Sequence, residues 1–360
     1  MKKMGFYSYT VGPAGMLKAV LSSAEKAGHQ TLQFEENKPG IVAARKDEMS
    51  DLGVALLGLD SDRVEEGLEL IDYLFSRNIP IVVMEDTPGS VLRPKAKEYT
   101  PKVAACLVAM QNGIDGAKSF GYERVEYFGP PPHWGVSYRD MMDKPSRRPE
   151  FKKRVGSEVV DLDTSDQIMY VPGTKVPEVV NVAIRGSVDA GKQTLGENFV
   201  FHFRRHPGEV PNKNKPGDEE RFSKLFEERK PLLEGLTILE PGDSNNPQLI
   251  RAADITIFPG GGPTESIVAA YARIPTLFCW NDLVAQGLRD IGIQSGKWFV
   301  AELGGSLKVT NSDELASGIN SLLKGDGCER LKKMQEKNFP LPKTWDTAPR
   351  VVELLEGVAR

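Results

Sequence analysis

The sequence predicts a protein of the α/β class, built from two successive domains that each contain a parallel sheet. Three observations support this prediction. The chain has 360 residues, which is enough for two domains at roughly 100–200 residues per domain. Short apolar runs alternate with helical segments at the spacing of βαβ units. This alternation begins again in the second half, after an irregular stretch rich in proline and charge.

The first half alternates apolar runs with amphipathic segments. Strands are predicted at Met4–Tyr9, Thr31–Glu35, Asp51–Leu57, Ile79–Met84, Ala104–Met110 and Val125–Phe128. Helices are predicted at Met16–Ala27 and Val64–Arg77. The stretch from Gly129 to Asp163 is predicted to be loop and surface helix, because it combines a proline run with many charges.

The second half repeats the pattern after the short apolar run Gln167–Val171. Strands are predicted at Asn198–Phe203, Leu236–Leu239, Asp254–Phe258 and Pro275–Cys279. Helices are predicted at Val179–Val188, Glu219–Glu234, Asn246–Ala252, Thr264–Ala272, Ser312–Leu323 and Arg350–Gly357. We place the domains at 1–174 and 175–340, followed by a C-terminal helical segment at 341–360.

Composition excludes several classes of protein. The net charge of −4 argues against a general nucleic-acid binder, which usually has a basic domain. Three widely spaced cysteines fit neither a disulfide framework nor a structural zinc site, and they suit a reducing compartment. The sequence has no apolar run long enough to span a bilayer and no signal-peptide core. We therefore expect a cytoplasmic protein.

A glycine-rich loop between a strand and a helix is the strongest candidate site. Gly260, Gly261 and Gly262 follow the apolar run that ends at Phe258, and Thr264 and Glu265 open the next helix. Glycines let backbone N–H groups approach an anion closely, and a helix N-terminus adds unpaired donors. The pattern predicts a diphosphate site in which the glutamate accepts hydrogen bonds from ribose hydroxyls. The alternative is a tight turn whose glutamate only favours the helix dipole.

Two arginines at the end of another predicted strand form the second candidate. Arg204 and Arg205 follow Phe203, and ligands of open α/β sheets bind at the carboxyl ends of strands. Arginine can bind phosphate oxygens in a bidentate manner. The sequence leaves open which arginine faces a ligand, and the alternative is a solvated charged loop.

The first half offers weaker candidates. Gly12 and Gly15 follow the first strand and are predicted to lie in a loop that contacts a sugar or acceptor, or else to form a simple turn. Asp86 and Glu85 follow the fourth strand, where a carboxylate can act as a general base; the alternative is an Asx turn or helix cap. His133 could stack on a sugar, although a lone histidine is more often structural.

A basic patch lies in the irregular stretch. It comprises Arg147, Arg148 and the run Lys152–Arg154. Such patches are usually solvated faces, but this one would also allow peripheral contact with anionic lipid.

The order of the motifs in the second half resembles that of the GT-B glycosyltransferase and UDP-N-acetylglucosamine 2-epimerase superfamily. The similarity is best over Asn198–Leu323 and rests on the Phe203–Pro207 segment, the Ala252–Asp254 lead-in to a strand and the Gly260–Glu265 loop. In the first half, the glycine loop and the Ala27–His29 segment match only in outline.

The resemblance implies a fold and a nucleotide site. It implies two Rossmann-like domains whose parallel sheets face a central cleft, with the segment 341–360 crossing back to the N-terminal domain. The C-terminal domain would hold a nucleotide. By position, Arg204 or Arg205, together with Gly261, Gly262 and Thr264, would contact the diphosphate, and Glu265 the ribose.

The resemblance also implies an activity. We expect a metal-independent glycosyltransferase without a cofactor, which transfers a sugar from a UDP-linked donor to an unknown acceptor, as a monomer or homodimer. A 2-epimerase and a non-catalytic nucleotide-sugar-binding protein remain alternatives. In the epimerases, the corresponding segment is similar to His-Arg-Arg-Glu-Asn, whereas this chain has Phe203-Arg204-Arg205-His206-Pro207. Because of this difference, we place glycosyl transfer before epimerisation.

Overall fold

A computed structural model of the chain describes residues 3–8, 11–34, 41–58, 64–85, 88–92, 94–143, 146–174, 176–206, 209–211, 216–260, 264–290 and 296–359. By its internal packing the chain divides into two compact units. The first comprises Met1–Val136 with Pro342–Arg360, and the second comprises Ser137–Arg289 with Ser295–Leu341. Each unit is built around its own sheet.

The sheet of the first unit is parallel throughout the described residues. Its strands are β1 (Lys3–Ser8), β2 (Gln30–Phe34), β3 (Val54–Gly58), β4 (Ile81–Met84), β5 (Ala105–Val108) and β6 (Val125–Tyr127). They lie in the order β2-β1-β3-β4-β5-β6. The structure confirms each of the runs predicted as strands in this half, with ends that shift by a few residues. The central strands β3 and β4 are buried along their whole length, as expected for strands covered on both faces.

Helices cover the first sheet. They are α1 (Val11–Lys26), α2 (Ile41–Met49), α3 (Val64–Ser76) and α4 (Gly113–Phe120). A further helix, α5 (Pro132–Met142), follows the last strand, and its residues from Ser137 onward belong to the second unit. Helix α3 contributes Leu70, Ile71 and Leu74 to a core shared with the sheet. Helices α2 and α4 were not predicted. They have only nine and eight residues, which is shorter than the window in which a helical period can be recognised.

The sheet of the second unit has eight strands among the described residues. They are β7 (Lys152–Val155), β8 (Glu158–Asp161), β9 (Gln167–Pro172), β10 (Phe199–Arg204), β11 (Ile238–Glu240), β12 (Ile255–Phe258), β13 (Thr276–Cys279) and β14 (Leu307–Val309). Their order is β14-β13-β12-β9-β10-β11-β7-β8. Strands β9 to β14 are parallel, and the β7–β8 hairpin pairs antiparallel to β11.

Helices of the second unit alternate with its strands. They are α6 (Pro177–Leu195), α7 (Asp218–Leu233), α8 (Asn246–Ala252), α9 (Thr264–Tyr271), α10 (Asp282–Asp290), α11 (Phe299–Glu302), α12 (Ser312–Lys324) and α13 (Gly327–Asn338). Helices α6 and α12 pack together and bury Ile184, Val188, Leu315 and Ile319 against the sheet. None of the described helices is long and apolar enough to cross a membrane.

The second unit begins at Ser137, whereas the sequence analysis placed the domain boundary at residue 174. Strand β9 lies between β10 and β12 in the middle of the second sheet, so residues 137–174 belong to the second unit. The final helix, α14 (Ala348–Val358), packs against α1 in the first unit. Within that unit the Thr347 hydroxyl donates to the Pro130 carbonyl oxygen at 2.9 Å.

The stretch predicted as loop and surface helix contains the β7–β8 hairpin. Both hairpin strands are exposed, so charged residues fill positions that apolar residues would occupy in a core strand. The turn is made by Gly156 with a φ of +61°. Tertiary pairing with β11, including an ion pair of 2.7 Å between Arg154 and Glu240, stabilises the hairpin.

The basic patch of this stretch is largely neutralised. Arg147 pairs with Glu150, Arg148 with Asp254, Lys152 with Asp161, Lys153 with Asp163 and Asp166, and Arg154 with Glu240. Each cation therefore has a carboxylate partner, which weakens the electrostatic attraction to anionic lipid expected from the sequence.

Candidate functional site

The strand order of the second sheet locates a crevice. From β9, the chain adds β10 and β11 on one side and β12, β13 and β14 on the other. This is the doubly wound Rossmann order, in which ligands bind where the direction of winding reverses, outside the carboxyl ends of the strands. The reversal lies between β9 and β12. These strands end at Pro172 and Phe258, so the crevice is bordered by the segments that follow them.

A cleft of about 290 Å³ opens at this edge of the sheet. Its walls come from the ends of β9 and β10 and from the starts of α8 and α9. The lining residues are Gly173, Arg204, Arg205, His206, Asn245, Asn246, Pro247 and Glu265. The structure thus brings together both predicted arginines and the predicted glutamate. Gly173, Asn245 and Asn246 were missed, although the Pro172-Gly173 and Asn-Asn-Pro sequences are recognisable turn and helix-start signals.

Two glycines allow the backbone to pack tightly at the crevice. Gly260 follows β12 with a φ of +103°, and a Cβ there would lie 2.5 Å from Cγ2 of Val284. Gly173 follows β9, and a Cβ there would lie 2.6 Å from the backbone nitrogen of His206. The Gly173 N–H donates to the Arg204 carbonyl oxygen at 2.7 Å. Only glycine fits these positions without displacing the neighbouring segment. Gly261 and Gly262 lie outside the described residues.

Helix α9 begins at the crevice with Thr264 and Glu265, both half-buried. The next residue, Ser266, is fully buried, and its hydroxyl oxygen accepts a hydrogen bond of 2.8 Å from the indole N–H of Trp298. The first turn of α9 is therefore anchored from the side of the core. A helix N-terminus held in this way presents backbone donors and a partial positive charge to a ligand.

The lead-in to β12 is anchored as well. Asp254 accepts hydrogen bonds from the Ile168 N–H at 2.7 Å and from the Arg148 guanidinium at 2.8 Å. Arg148 also donates to the Asp166 carbonyl oxygen at 2.7 Å. These bonds tie the beginning of β12 to the beginning of β9. The crevice therefore lies between two strands whose register is fixed at the opposite end.

The two adjacent arginines have different surroundings. Arg205 donates to the Glu209 carbonyl oxygen at 2.6 Å, and its guanidinium stacks over the Phe226 ring at 4.2 Å from the centroid. Arg204 donates to the Ser244 carbonyl oxygen. Among the residues that the structure describes, no carboxylate lies within ion-pair distance of Arg204. Its positive charge is therefore the one at the cleft that is not neutralised by an ion pair.

A buried ion pair supports the segment that follows β10. Glu209 is fully buried and binds Arg229, which is itself buried, through both carboxylate oxygens. The Arg229 Nε donates to the Asn181 side-chain oxygen at 2.7 Å, and the Asn181 amide donates to the Leu225 carbonyl oxygen. This network connects the β10 segment to α6 and α7. Arg205 also binds Glu209, so its guanidinium is fixed next to this network.

Tyr170 lies beneath the cleft, on β9. It is fully buried, and its hydroxyl donates to the Asn246 side-chain oxygen at 2.9 Å. Burial raises the pKa of Tyr170 well above its ordinary value; Arg204 opposes this rise in pKa and Glu265 adds to it. Its ring stacks on His202, whose pKa is lowered mainly by burial. Both side chains are therefore neutral at pH 7.

The candidates of the first unit are placed differently. Gly12 and Gly15 lie inside α1, which begins at Val11, so the predicted glycine loop is wrong at these positions. A Cβ at Gly15 would meet no atom within 4 Å, and thus no close approach requires glycine there. Asp86 lies outside the described residues.

Glu85 does not have the surroundings of a general base. It is buried, and its two carboxylate oxygens accept hydrogen bonds from the backbone N–H groups of Gly89 and Ala109, the latter at 2.9 Å. The carboxylate therefore ties the segment after β4 to the end of β5. A general base needs an oxygen that can reach a substrate proton, so the catalytic role proposed for Glu85 loses support.

His133 lies in the first turn of α5. Burial lowers the pKa of its imidazole from 6.5 to about 4. Its Nδ1 atom is buried without a hydrogen-bond partner among the described residues. The ring meets Trp134 edge to face, with 6.2 Å between the ring centroids. At pH 7 the imidazole is thus neutral. The contact of His133 with a sugar or acceptor stays a prediction.

Comparisons with known proteins give a fold and no sequence family. Neither a family model nor a curated protein matches the chain. The solved structure of UDP-GlcNAc 2-epimerase from Neisseria meningitidis bound to UDP-GlcNAc matches with a TM-score of 0.62 and 12% identity, covering 99% of this chain and 100% of that chain. The S. aureus MnaA–UDP structure matches with a TM-score of 0.61 and 13% identity, covering 98% and 95%. The structure of Phytolacca americana UGT2, complexed with UDP-2-fluoro-glucose and pterostilbene, matches with a TM-score of 0.53 and 9% identity, covering 99% of each chain.

These matches define the class of fold. The chain has the two-domain Rossmann-like fold of these solved structures, the UDP-GlcNAc 2-epimerase and UGT2 among them. The fold predicted from the sequence is thereby confirmed. At identities of 9–13%, the similarity establishes the fold and leaves the reaction to be argued from the site.

Proposed function

We propose that the chain is an enzyme that acts on a nucleoside-diphosphate sugar and binds the diphosphate in the cleft of the second unit. One observation carries this proposal: Arg204 presents a guanidinium, without a carboxylate partner among the described residues, in the cleft at the carboxyl edge of the sheet. A phosphate oxygen can take the donors that the Ser244 carbonyl leaves free. The anchored N-terminus of α9 offers further donors from the opposite wall.

The remaining groups suit the other parts of such a ligand. Glu265 is the carboxylate of the cleft lining. A carboxylate repels phosphate but accepts hydrogen bonds from hydroxyl groups, so it suits the ribose. The positive charge of Arg204 and the acceptor oxygens of Glu265 lie in one cleft. This combination supports a nucleotide over a free anion.

The proposal is tested by calorimetric titration of UDP into the wild-type protein and two variants. We expect Arg204→Ala to weaken UDP binding by about 10- to 150-fold, the loss of a charge-assisted hydrogen bond of about 1.5–3 kcal/mol. Arg205→Ala is the matched control, because Glu209 and Phe226 already hold that guanidinium. We expect it to change binding by less than about threefold. The assignment is wrong if only Arg205→Ala weakens binding.

Glycosyl transfer is the reaction that we propose first. Charge that develops on the leaving nucleoside diphosphate would be stabilised by Arg204 and the α9 N-terminus. Since Glu85 is committed to backbone hydrogen bonds, Asp86 is the remaining candidate for the base that deprotonates an acceptor. Phe203 occupies the position that corresponds to the histidine of the epimerase segment. Its ring packs against the Arg229 guanidinium. This position offers no titratable group for chemistry on the sugar ring.

Epimerisation is the second candidate, supported by the TM-score of 0.62 to an epimerase compared with 0.53 for UGT2. Incubation with UDP-N-acetylglucosamine alone separates the two reactions, because an epimerase needs no acceptor. NMR detection of N-acetylmannosamine, either still linked to UDP or released together with UDP by water, would favour epimerase chemistry. Free UDP with N-acetylglucosamine would indicate hydrolysis alone. Nucleotide binding without turnover across donor and acceptor panels would favour a non-catalytic binding protein.

A further inference from the structure

Two neighbouring asparagines line the cleft, but their side chains differ in availability. The Asn245 side-chain oxygen accepts from the Gln248 N–H at 3.0 Å, and its amide donates to Asp140 at 3.0 Å. The Gln248 side chain in turn accepts from the Asn245 N–H, which completes a capping box. Asn245 is therefore committed to the start of α8 and has little left to offer a ligand.

The orientation of the Asn246 amide follows from the needs of Tyr170. The buried phenol proton must find an acceptor, since an unsatisfied buried donor costs about 1–3 kcal/mol. The Asn246 oxygen, 2.9 Å away, is the acceptor that the phenol reaches among the described residues. Turning the amide around would place its NH2 group against the phenol oxygen and leave the phenol proton without an acceptor. Tyr170 therefore directs the oxygen of Asn246 toward itself.

The consequence is a free donor at the cleft. With its oxygen bound to Tyr170, Asn246 keeps an NH2 group that has no hydrogen-bond partner in the described part of the protein. Pro247 adds a flat apolar surface beside it. A neutral donor next to an apolar surface suits a planar heterocycle better than a phosphate, for which Arg204 is available.

We infer that Asn246 is a specificity-determining residue that selects a pyrimidine with a carbonyl oxygen at ring position 4 over one with an amino group at that position. Tyr170 is its positioning residue. The inference rests on the proposed function, because it assigns the base of the same nucleotide. A carbonyl oxygen, as in uracil, accepts from the Asn246 NH2 group, whereas the amino group of cytosine brings a donor against a donor.

The test compares UDP and CDP by calorimetric titration. We expect wild-type protein to bind UDP about tenfold more tightly than CDP, the value of one hydrogen bond lost to a mismatch. Asn246→Asp keeps an acceptor for Tyr170 and replaces the donor by a second acceptor. The added negative charge weakens both ligands alike, so the UDP/CDP ratio reports on the base. We expect this ratio to fall at least tenfold, to equal affinity or a preference for CDP.

A second variant tests the positioning role. Tyr170→Phe retains the stacked ring and releases the amide, which can then present either its donor or its acceptor. We expect the UDP/CDP ratio to move toward one, whereas a purely structural role would weaken both ligands equally. Arg251→Ala, at an exposed position on the same helix, should leave the ratio unchanged. Melting temperatures without ligand establish that each variant is folded.

The outcomes separate the inference from the proposed function. If wild-type protein binds neither UDP nor CDP, the nucleotide site itself is wrong. If it binds both equally, or if Asn246→Asp lowers both affinities by one common factor, the nucleotide site stands and the base-selecting role of Asn246 is overturned.

Discussion

Val284 on α10 occupies the space that a side chain at Gly260 would need. A Cβ at Gly260 would lie 2.5 Å from one methyl carbon of Val284 and 2.8 Å from the other. The φ of Gly260, +103°, is also one that other residues rarely adopt. Helix α10 therefore packs directly on the turn that carries β12 into the crevice. A tertiary contact, and not the turn alone, requires glycine here.

We expect Gly260→Ala to lower the free energy of unfolding by about 3 kcal/mol. The change adds backbone strain of about 1–3 kcal/mol and an overpacking cost of similar size. Displacement of the turn should weaken UDP binding as well. Chemical denaturation followed by tryptophan fluorescence, together with UDP titration, measures both effects.

Gly287→Ala provides the matched control on α10. A Cβ at Gly287 would meet no atom within 4 Å, and the residue lies inside the helix. Alanine there should stabilise the protein by up to about 1 kcal/mol through helix propensity. If both variants were as stable as wild type, α10 would not pack on the Gly260 turn in solution.

The sequence predicts the β12–glycine–α9 segment well because its signals are local. An apolar run, a glycine loop and a helical start follow one another in the chain, and each has its own pattern. The difference between Arg204 and Arg205 has no such local signal. It depends in part on Phe226, which reaches Arg205 only after α7 packs on the sheet. Glu209 is only four residues from Arg205 in the chain, but no sequence pattern indicates that its carbonyl oxygen accepts from that guanidinium.

The surroundings of Glu85 likewise leave no local signal in the sequence. The sequence pattern of a carboxylate at the end of a strand is the same whether the side chain faces a substrate or the protein interior. The N–H of Ala109, which binds Glu85, comes from the segment after the next strand of the sheet. Such a partner becomes visible only when β4 and β5 are known to be neighbours.

The buried Glu209–Arg229 pair should be sensitive to removal of one charge. Glu209→Gln leaves the Arg229 guanidinium buried without a counter-charge, so we expect a loss of about 3–5 kcal/mol in the free energy of unfolding. Glu227→Gln is the control, since Glu227 pairs with Lys230 on the exposed surface at 2.6 Å. That change should cost less than about 1 kcal/mol. Equal effects in denaturant titrations would mean that water reaches the Glu209 pair.

His133 should make the stability of the protein depend on pH in the mildly acidic range. Burial lowers the pKa of its imidazole to about 4, whereas an unfolded chain has a value near 6.5. Between these values the unfolded state binds a proton that the folded state does not. The contribution of His133 to the free energy of unfolding is therefore fully present above pH 6.5 and is lost as the pH falls toward 4. Between pH 7 and pH 5 the loss amounts to about 2 kcal/mol.

His133→Leu separates this contribution from the carboxylates that titrate in the same range. Leucine cannot bind a proton in either state. Between pH 7 and pH 5, the free energy of unfolding should therefore decrease by about 2 kcal/mol less in the variant than in the wild type. Denaturant titrations of both proteins at several pH values measure the difference. A half-buried imidazole whose buried Nδ1 has no hydrogen-bond partner among the described residues should resist protonation. Parallel curves would therefore mean that water reaches the His133 ring and that it titrates normally.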